Sequence, residues 1–83
     1  MESIETRISG SKSHIIVELD FPITPIFDYL GRKNQLDNID TIKKKEDRKT
    51  KMVFSGKKKA KKVLKCLSFY ENLRLLGDVK LVY

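Results

Sequence analysis

The chain has 83 residues, a formal net charge of +7 and 35% charged residues, which is the size of one small domain spanning residues 1–83. No apolar run approaches the roughly 20 residues of a membrane span, and the first residues lack the basic and then apolar regions of a signal peptide. One cysteine excludes an internal disulfide and fits a reducing compartment, so we expect an intracellular protein of the cytoplasm, nucleoid or nucleus.

The first part of the chain predicts a β-hairpin. Residues 4–8 alternate apolar with polar side chains, and residues 14–21 alternate again after a Gly-Ser-Lys-Ser stretch that suits a turn. Alternation with a period of two is typical of half-buried strands. Pro22 and Pro25 then end the pairing, since proline cannot donate to a strand ladder.

A short helix is predicted next. Thr24 is a suitable cap before Pro25 at the first helical position, and the apolar residues that follow form a stripe. Gly31 can end this helix in the left-handed conformation.

Two strands, a long helix and a last strand complete the chain. Residues 39–45 predict a weak strand, and residues 49–55 predict a second one. Apolar side chains at three- and four-residue spacing predict a helix over residues 57–76, with Gly77 as its stop. Residues 78–83 alternate as a strand does. The order β-β-α-β-β-α-β predicts an α+β fold, an antiparallel sheet with one short and one long helix packed on one face.

The positive charge is concentrated between Lys43 and Lys65. This segment holds twelve basic and two acidic residues, a formal charge of +10, so the rest of the chain carries −3. At its centre a strand, a Ser55-Gly56 turn and a helix start follow one another, and three lysines come directly after Gly56. Turn amides, the helix dipole and these lysines together would suit a phosphate, although a lysine run alone is also a normal solvated helix face. The turn is not a Walker loop, because no glycine stands five residues before Gly56.

A second pattern runs along the long helix. Lys58, Lys62, Lys65 and Phe69 are spaced by four, three and four residues, on the side opposite the apolar stripe. This spacing predicts an exposed aromatic ring at the end of a basic ridge. Such a ring can stack a base or anchor a partner protein, and it can equally cover a loop or form a dimer contact.

We expect no catalysis, no metal site and no cofactor. His14 is the only histidine and Cys66 the only cysteine, and they belong to different predicted elements, so no set of metal ligands is complete. Cys66 lies within a predicted helix, where we expect it to be packed. The carboxylates are scattered over strand faces, turns and helix ends.

Two short stretches carry a resemblance to a known family. Residues 17–23, Val-Glu-Leu-Asp-Phe-Pro-Ile, look like a strand entering the Phe-Pro-Ile segment of the TATA-binding-protein fold. Residues 51–56, Lys-Met-Val-Phe-Ser-Gly, look like that fold's strand ending in Val-Val-Thr-Gly before its long helix. The chain therefore resembles a single repeat of this fold, which is also similar to small substrate-binding domains of some ribonucleases H. The resemblance implies DNA binding, in the setting of transcription regulation, with Val53 and Ser55 facing nucleic acid.

We predict a non-catalytic nucleic-acid-binding module, with DNA ahead of RNA because of this resemblance. Phosphate contacts are expected from a set of basic residues: Lys43, Lys44, Lys45, Arg48, Lys49, Lys51, Lys57, Lys58, Lys59, Lys61 and Lys62. The full candidate nucleic-acid-binding site comprises Arg48, Lys49, Lys51, Val53, Ser55, Lys57, Lys58, Lys59, Lys61, Lys62, Lys65 and Phe69. The alternative is a protein-interaction or regulatory module whose basic face docks on an acidic protein, because a basic patch suits either partner. A homodimer is compatible with both the nucleic-acid-binding module and the interaction module. No membrane partner is expected.

Overall fold

The computed structural model describes residues 3–70 and 74–77. The strands are β1 (Ser3–Ser11), β2 (His14–Leu19), β3 (Thr41–Glu46), β4 (Lys49–Phe54) and β5 (Arg74–Gly77). The helices are α1 (Ile23–Arg32) and α2 (Lys57–Leu67), and a short 3₁₀ turn occupies Leu36–Asn38. The strands form one sheet in the order β3-β4-β2-β1-β5.

The expected α+β fold and its order of strands and helices are confirmed. Strands β3, β4, β2 and β1 form an antiparallel sheet, as the alternating patterns predicted. β5 differs, because it pairs in parallel with β1. In this sheet β2 runs in the same direction as β3, and β4 runs in the same direction as β5, although neither pair is adjacent. The chain connects β2 to β3 through α1 and β4 to β5 through α2. Helices α1 and α2 pack on the same face of the sheet, because residues of both belong to one core cluster.

One apolar layer joins the sheet to the helices. Its fully buried members include Val17, Leu19, Met52 and Phe54 from the sheet and Ile26, Leu30, Ala60, Val63, Leu64 and Leu67 from the helices. The two helices also contact each other, because the Tyr29 hydroxyl donates to the Cys66 carbonyl at 3.0 Å and the Tyr29 ring lies 4.6 Å from the Tyr70 ring. The buried Thr50 hydroxyl donates to the Phe21 carbonyl at 2.8 Å, so it leaves no unsatisfied polar group in the layer.

α2 ends at Leu67, well before the predicted end at Leu76. Backbone amides of residues 68–70 close the last turn on carbonyls three and four residues earlier. Arg74–Gly77 then pairs with the edge of β1, so Gly77 lies in a strand and does not end a helix. The spacing of apolar residues does not reveal that the edge of β1 has amides and carbonyls available for pairing. Residues 74–77 form hydrogen bonds with this edge instead of continuing the helix. The strand predicted for residues 78–83 lies outside the described residues.

The boundaries of α1 also differ from the prediction. α1 begins at Ile23 directly after Pro22, whose extended φ and ψ of −64° and 145° place it as the cap, so Thr24 is already helical. The helix continues through Gly31 and ends at Arg32. The left-handed residue is Asn34, with φ 58°, a conformation that asparagine tolerates better than most side chains.

The packing of α2 predicts different responses on its two faces. Leu67 is 1% exposed, so Leu67→Ala should remove buried contacts and lower the free energy of unfolding by roughly 2–4 kcal/mol. Lys62 is exposed on the opposite face, and Lys62→Ala should change that free energy by less than about 0.5 kcal/mol. Urea unfolding followed by circular dichroism measures both. Equal losses would contradict this assignment of the helix faces.

Gly10 lies near the end of β1, just before the β1–β2 turn, and we expect that no other residue is tolerated there. Gly10 has φ 96°, and a Cβ there would lie 2.0 Å from the His14 carbonyl oxygen. Gly10→Ala should therefore lower the free energy of unfolding by at least about 1–3 kcal/mol. The matched control is Gly56→Ala, where a Cβ meets nothing within 4 Å. Because Gly56 is the N-cap of α2 and alanine is less favourable there than glycine, a smaller loss, below about 1 kcal/mol, is expected. A Gly10→Ala protein with unchanged urea midpoint would show that the turn is not as described.

Candidate nucleic-acid interface

Alternation along β4 divides its side chains between the two faces of the sheet. Met52 and Phe54 are completely buried against the helices. Lys49, Lys51 and Val53 lie on the opposite face, which we call the open face, and are half buried there. The candidate residues of β4 therefore point away from the helical layer.

A row of charged side chains crosses the open face. The strand register places Lys43 of β3 beside Lys51 of β4, Lys51 beside Glu18 of β2, and Glu18 beside Arg7 of β1. Lys45 also forms an ion pair with Glu18. The Glu18 carboxylate thus has cations from three other strands, β3, β4 and β1, around it.

This arrangement changes the titration of Glu18. The hydrogen bond from Lys45 lowers the pKa of Glu18, burial opposes that effect, and the charges of Lys45, Lys51 and Arg7 lower the pKa further. Glu18 therefore stays ionised at neutral pH and cancels part of the positive charge of the row.

Acidic side chains also neutralise cations at the β3–β4 turn. Lys44 Nζ lies 3.0 Å from Asp47 Oδ1, and Lys49 Nζ lies 3.9 Å from Glu46 Oε2. Arg48 is exposed in the same turn. The sheet part of the basic segment is therefore a mixed surface, in which carboxylates lie among the lysines.

The outer side of α2 has a different character. Its lysine face comprises Lys57, Lys58, Lys59, Lys61, Lys62 and Lys65, all exposed. Among residues 4–70, no carboxylate lies within ion-pair distance of any of these lysines. The apolar residues of α2 occupy the opposite side and are buried, so the lysine face points away from the sheet.

The basic ridge predicted from the spacing is present at the centre of this face. Lys58, Lys62 and Lys65 are exposed and lie opposite the buried stripe. Phe69 follows them and is 72% exposed, which confirms the predicted exposed ring. Its backbone is held in place, because the Phe69 amide donates to the Cys66 carbonyl at 3.1 Å.

The backbone of Gly56 is not in the left-handed conformation, in which a residue with a side chain would be strained. Its φ and ψ of −170° and 156° are extended, and many residues adopt them, so Gly56→Val should not strain this turn. Ser55 is exposed, and no side chain caps the helix. The first turn of α2 contains Lys57, Lys58 and Lys59 and no acidic residue. The backbone amides that have no partner within the helix therefore lie close to three lysine side chains.

A further lysine, absent from the predicted site, lies near the start of α2. Lys12 of the β1–β2 turn and Lys57 line the same concavity, about 500 Å³ in volume, together with backbone and side chains of the hairpin. The two lysines are far apart along the chain, so no local pattern could have joined them. Both line the same concavity because β4, which leads into α2, pairs with β2 of the hairpin.

The predicted site is therefore divided between two sides of the molecule. Lys43, Lys49, Lys51 and Val53 belong to the open face of the sheet, whereas the lysine face and Phe69 belong to the helical layer. The apolar layer lies between them, so one flat binding surface cannot include both sets.

The residues considered for catalysis lie in ordinary environments. The Cys66 Sγ atom is 3.8 Å from the Tyr29 hydroxyl oxygen, at the contact between the helices. Burial and the hydrogen bond with Cys66 raise the pKa of Tyr29. His14 is exposed at the start of β2. Within residues 3–70 and 74–77, no group of three or more His, Cys, Asp or Glu side chains could hold a metal ion.

Comparisons with known proteins do not assign a family. The chain matches no protein-family model, no curated protein and no solved structure. In the part of the chain that the structure describes, neither helix has the length and apolar character needed to cross a membrane.

The charged row predicts a pH-dependent contribution from Glu18. Because its pKa is lowered from the ordinary 4.5 in the folded protein, its stabilisation is fully present above about pH 4.5 and is lost as the pH falls through the lowered value. Glu18→Gln should lower the free energy of unfolding at pH 7 by no more than about 1 kcal/mol, since the pair lies near the surface. The difference should be smaller at an acidic pH below 4.5, where protonation of the carboxylate begins to remove the charge.

Urea unfolding at both pH values measures this effect. Glu46→Gln is the matched control, because Glu46 has one described partner at 3.9 Å and should contribute less. A loss for Glu18→Gln that persists unchanged at the acidic pH would mean that Glu18 acts through packing and not through charge.

Proposed function

We propose that this protein is a non-catalytic nucleic-acid-binding module and that the lysine face of α2 binds the phosphate backbone. The observation that carries the proposal is this face itself. It has six exposed lysines on one short helix, without a neutralising carboxylate among residues 4–70.

The cost of this face argues for an anionic partner. Lys57 and Lys61, Lys58 and Lys62, and Lys61 and Lys65 are like-charge pairs four residues apart, and each pair destabilises a helix by about 0.2–0.5 kcal/mol. Three lysines in the first turn also oppose the helix dipole. A solvated surface helix could avoid both penalties with a few glutamates. A bound polyanion removes both, because its charges lie between the lysines.

The shape of the ridge favours nucleic acid over an acidic protein. Lys58 and Lys65 are separated by about 10 Å along the helix axis, and Lys62 lies between them. A nucleic-acid backbone supplies closely and regularly spaced negative charge, one per about 1.7 Å of duplex axis, that such a row can contact. DNA is named ahead of RNA because of the resemblance of residues 17–23 and 51–56 to a TATA-binding-protein repeat.

The sheet side is not proposed as the main contact. Lys45 is paired with Glu18, and Lys44 and Lys49 lie near Asp47 and Glu46. A phosphate approaching this side would have to compete with carboxylates already in place. Lysines there add to the long-range attraction of a chain with net charge +7, which raises the rate of encounter more than the specificity.

The proposal predicts a salt-dependent affinity for DNA. With about five phosphate contacts, log affinity for a short duplex should fall with log salt with a slope near −4 to −5. Lys58→Ala combined with Lys62→Ala should weaken binding and flatten the slope by up to about 2, with little effect on stability. Fluorescence anisotropy titrations at several salt concentrations measure both quantities.

The matched control is Lys43→Ala combined with Lys51→Ala. It removes the same charge from neighbouring positions on the open face. Equal losses for the two double variants would contradict the assignment to α2. Absence of binding at about 50 mM salt would overturn the nucleic-acid proposal, and capture of an acidic protein that requires Lys58 and Lys62 would support the interaction module instead.

A further inference from the structure

Phe69 is an exposed aromatic ring in a basic hollow. It is 72% exposed, against 44% for Phe27, the other large hydrophobic side chain that is exposed among the described residues. Phe69, Lys61, Lys65 and Ser68 line a hollow of about 330 Å³ on the surface. An apolar ring therefore lies beside two cations that form no ion pair with a carboxylate of residues 4–70.

The position of the ring is defined by its neighbours. The Ser68 hydroxyl donates to the Lys65 carbonyl at 2.6 Å, and the Phe69 amide donates to the Cys66 carbonyl. Directly after it, the Tyr70 amide donates to the Leu67 carbonyl at 3.0 Å, and Tyr70 packs against the core. Phe69 is thus held outward by a turn that is anchored on both sides, so the ring is presented to a partner at little entropic cost.

The surroundings of Phe69 select the partner. A ring that docked into another protein would usually have an apolar surround, whereas the described neighbours of Phe69 in the hollow are two lysines and a serine. Lysine side chains attract phosphates by charge, and an aromatic ring stacks on another flat π-face. A nucleotide carries both groups, within the length of one side chain.

We propose that Phe69 stacks on an unpaired base while Lys61 and Lys65 contact the adjacent phosphates. In an intact duplex the faces of the bases are covered by neighbouring bases, so the ring can stack only on a single strand or at a locally opened site. The substrate class of the lysine face is therefore single-stranded or partly unpaired nucleic acid. This inference rests on the proposed function and adds a preference to it.

The test compares one labelled strand, alone and annealed to its complement, by fluorescence anisotropy. The wild-type protein should bind the single strand more tightly. Phe69→Ala should weaken binding to the single strand by roughly 5- to 100-fold, leave duplex binding within about twofold, and keep the salt slope unchanged, since no charge is lost. Phe27→Ala is the matched control and should have no effect on either substrate.

A direct contact gives two further readouts. An abasic site in the strand should weaken binding to the wild-type protein and have little added effect on Phe69→Ala, because both changes remove the same contact. The chain has no tryptophan, so Phe69→Trp introduces a single tryptophan, which can be excited separately from the tyrosines, and its emission should be quenched by the single strand.

The outcomes separate this inference from the proposed function. If Lys58→Ala with Lys62→Ala weakens binding but Phe69→Ala does not, the lysine face stands and the stacking contact is wrong. Equal losses of Phe69→Ala on single strand and duplex would also overturn the stacking contact. If Phe69→Ala leaves binding intact but dissociates a dimer in sedimentation, the ring is a contact between two copies. If the wild-type protein binds neither substrate, both proposals fail.

Discussion

The single apolar layer between the sheet and the helices is the constraint on which the rest of the molecule depends. β4 and α2 are consecutive in sequence, and both must bury one side in this layer. β4 does so with Met52 and Phe54, and α2 does so with Val63 and Leu64, which are among the completely buried residues. Every lysine between Lys49 and Lys65 must then point away from the layer, in one direction from the strand and in the opposite direction from the helix.

The same constraint gives the two surfaces different electrostatics. On the sheet, cross-strand neighbours can come from any part of the chain, and Glu18 of β2 is brought among cations of other strands. On a single helix at the outside of the fold, neighbours come from the helix itself, and residues 57–70 contain no acidic side chain. The lysine face is therefore held in shape by the packing beneath it, because its own charges oppose the helix.

Features that depend on local pattern could be predicted from the sequence. The strands that alternate and the buried stripe of α2 follow from the spacing of apolar residues. The exposure of Phe69 agrees with its predicted place opposite that stripe, although Phe69 lies in the turn after α2. Features that depend on distant partners could not. The helical spacing continues past Leu67, but the free edge of β1 makes Arg74–Gly77 a strand.

The candidate site was predicted in part for the same reason. Periodicity identifies the lysines of α2 as one face, but only the sheet shows that Lys51 belongs to the other side of the molecule. Lys12 and Lys57 line one concavity only because two strands distant in sequence, β2 and β4, pair. The backbone conformation of each glycine could not be predicted from the residue type either, since Gly10 has a positive φ and Gly56 does not.

The parallel pairing of β1 with β5 has a consequence for the order of folding. Ser3 pairs with Arg74, so this contact closes a loop that contains nearly the whole chain, and its entropic cost is among the largest in the molecule. The β1–β2 hairpin closes a two-residue turn and can form first. A nascent chain therefore carries β1 with one unpaired edge until residue 74 has been made. During that interval the edge is open to pairing with another chain, and completion of β5 ends the exposure.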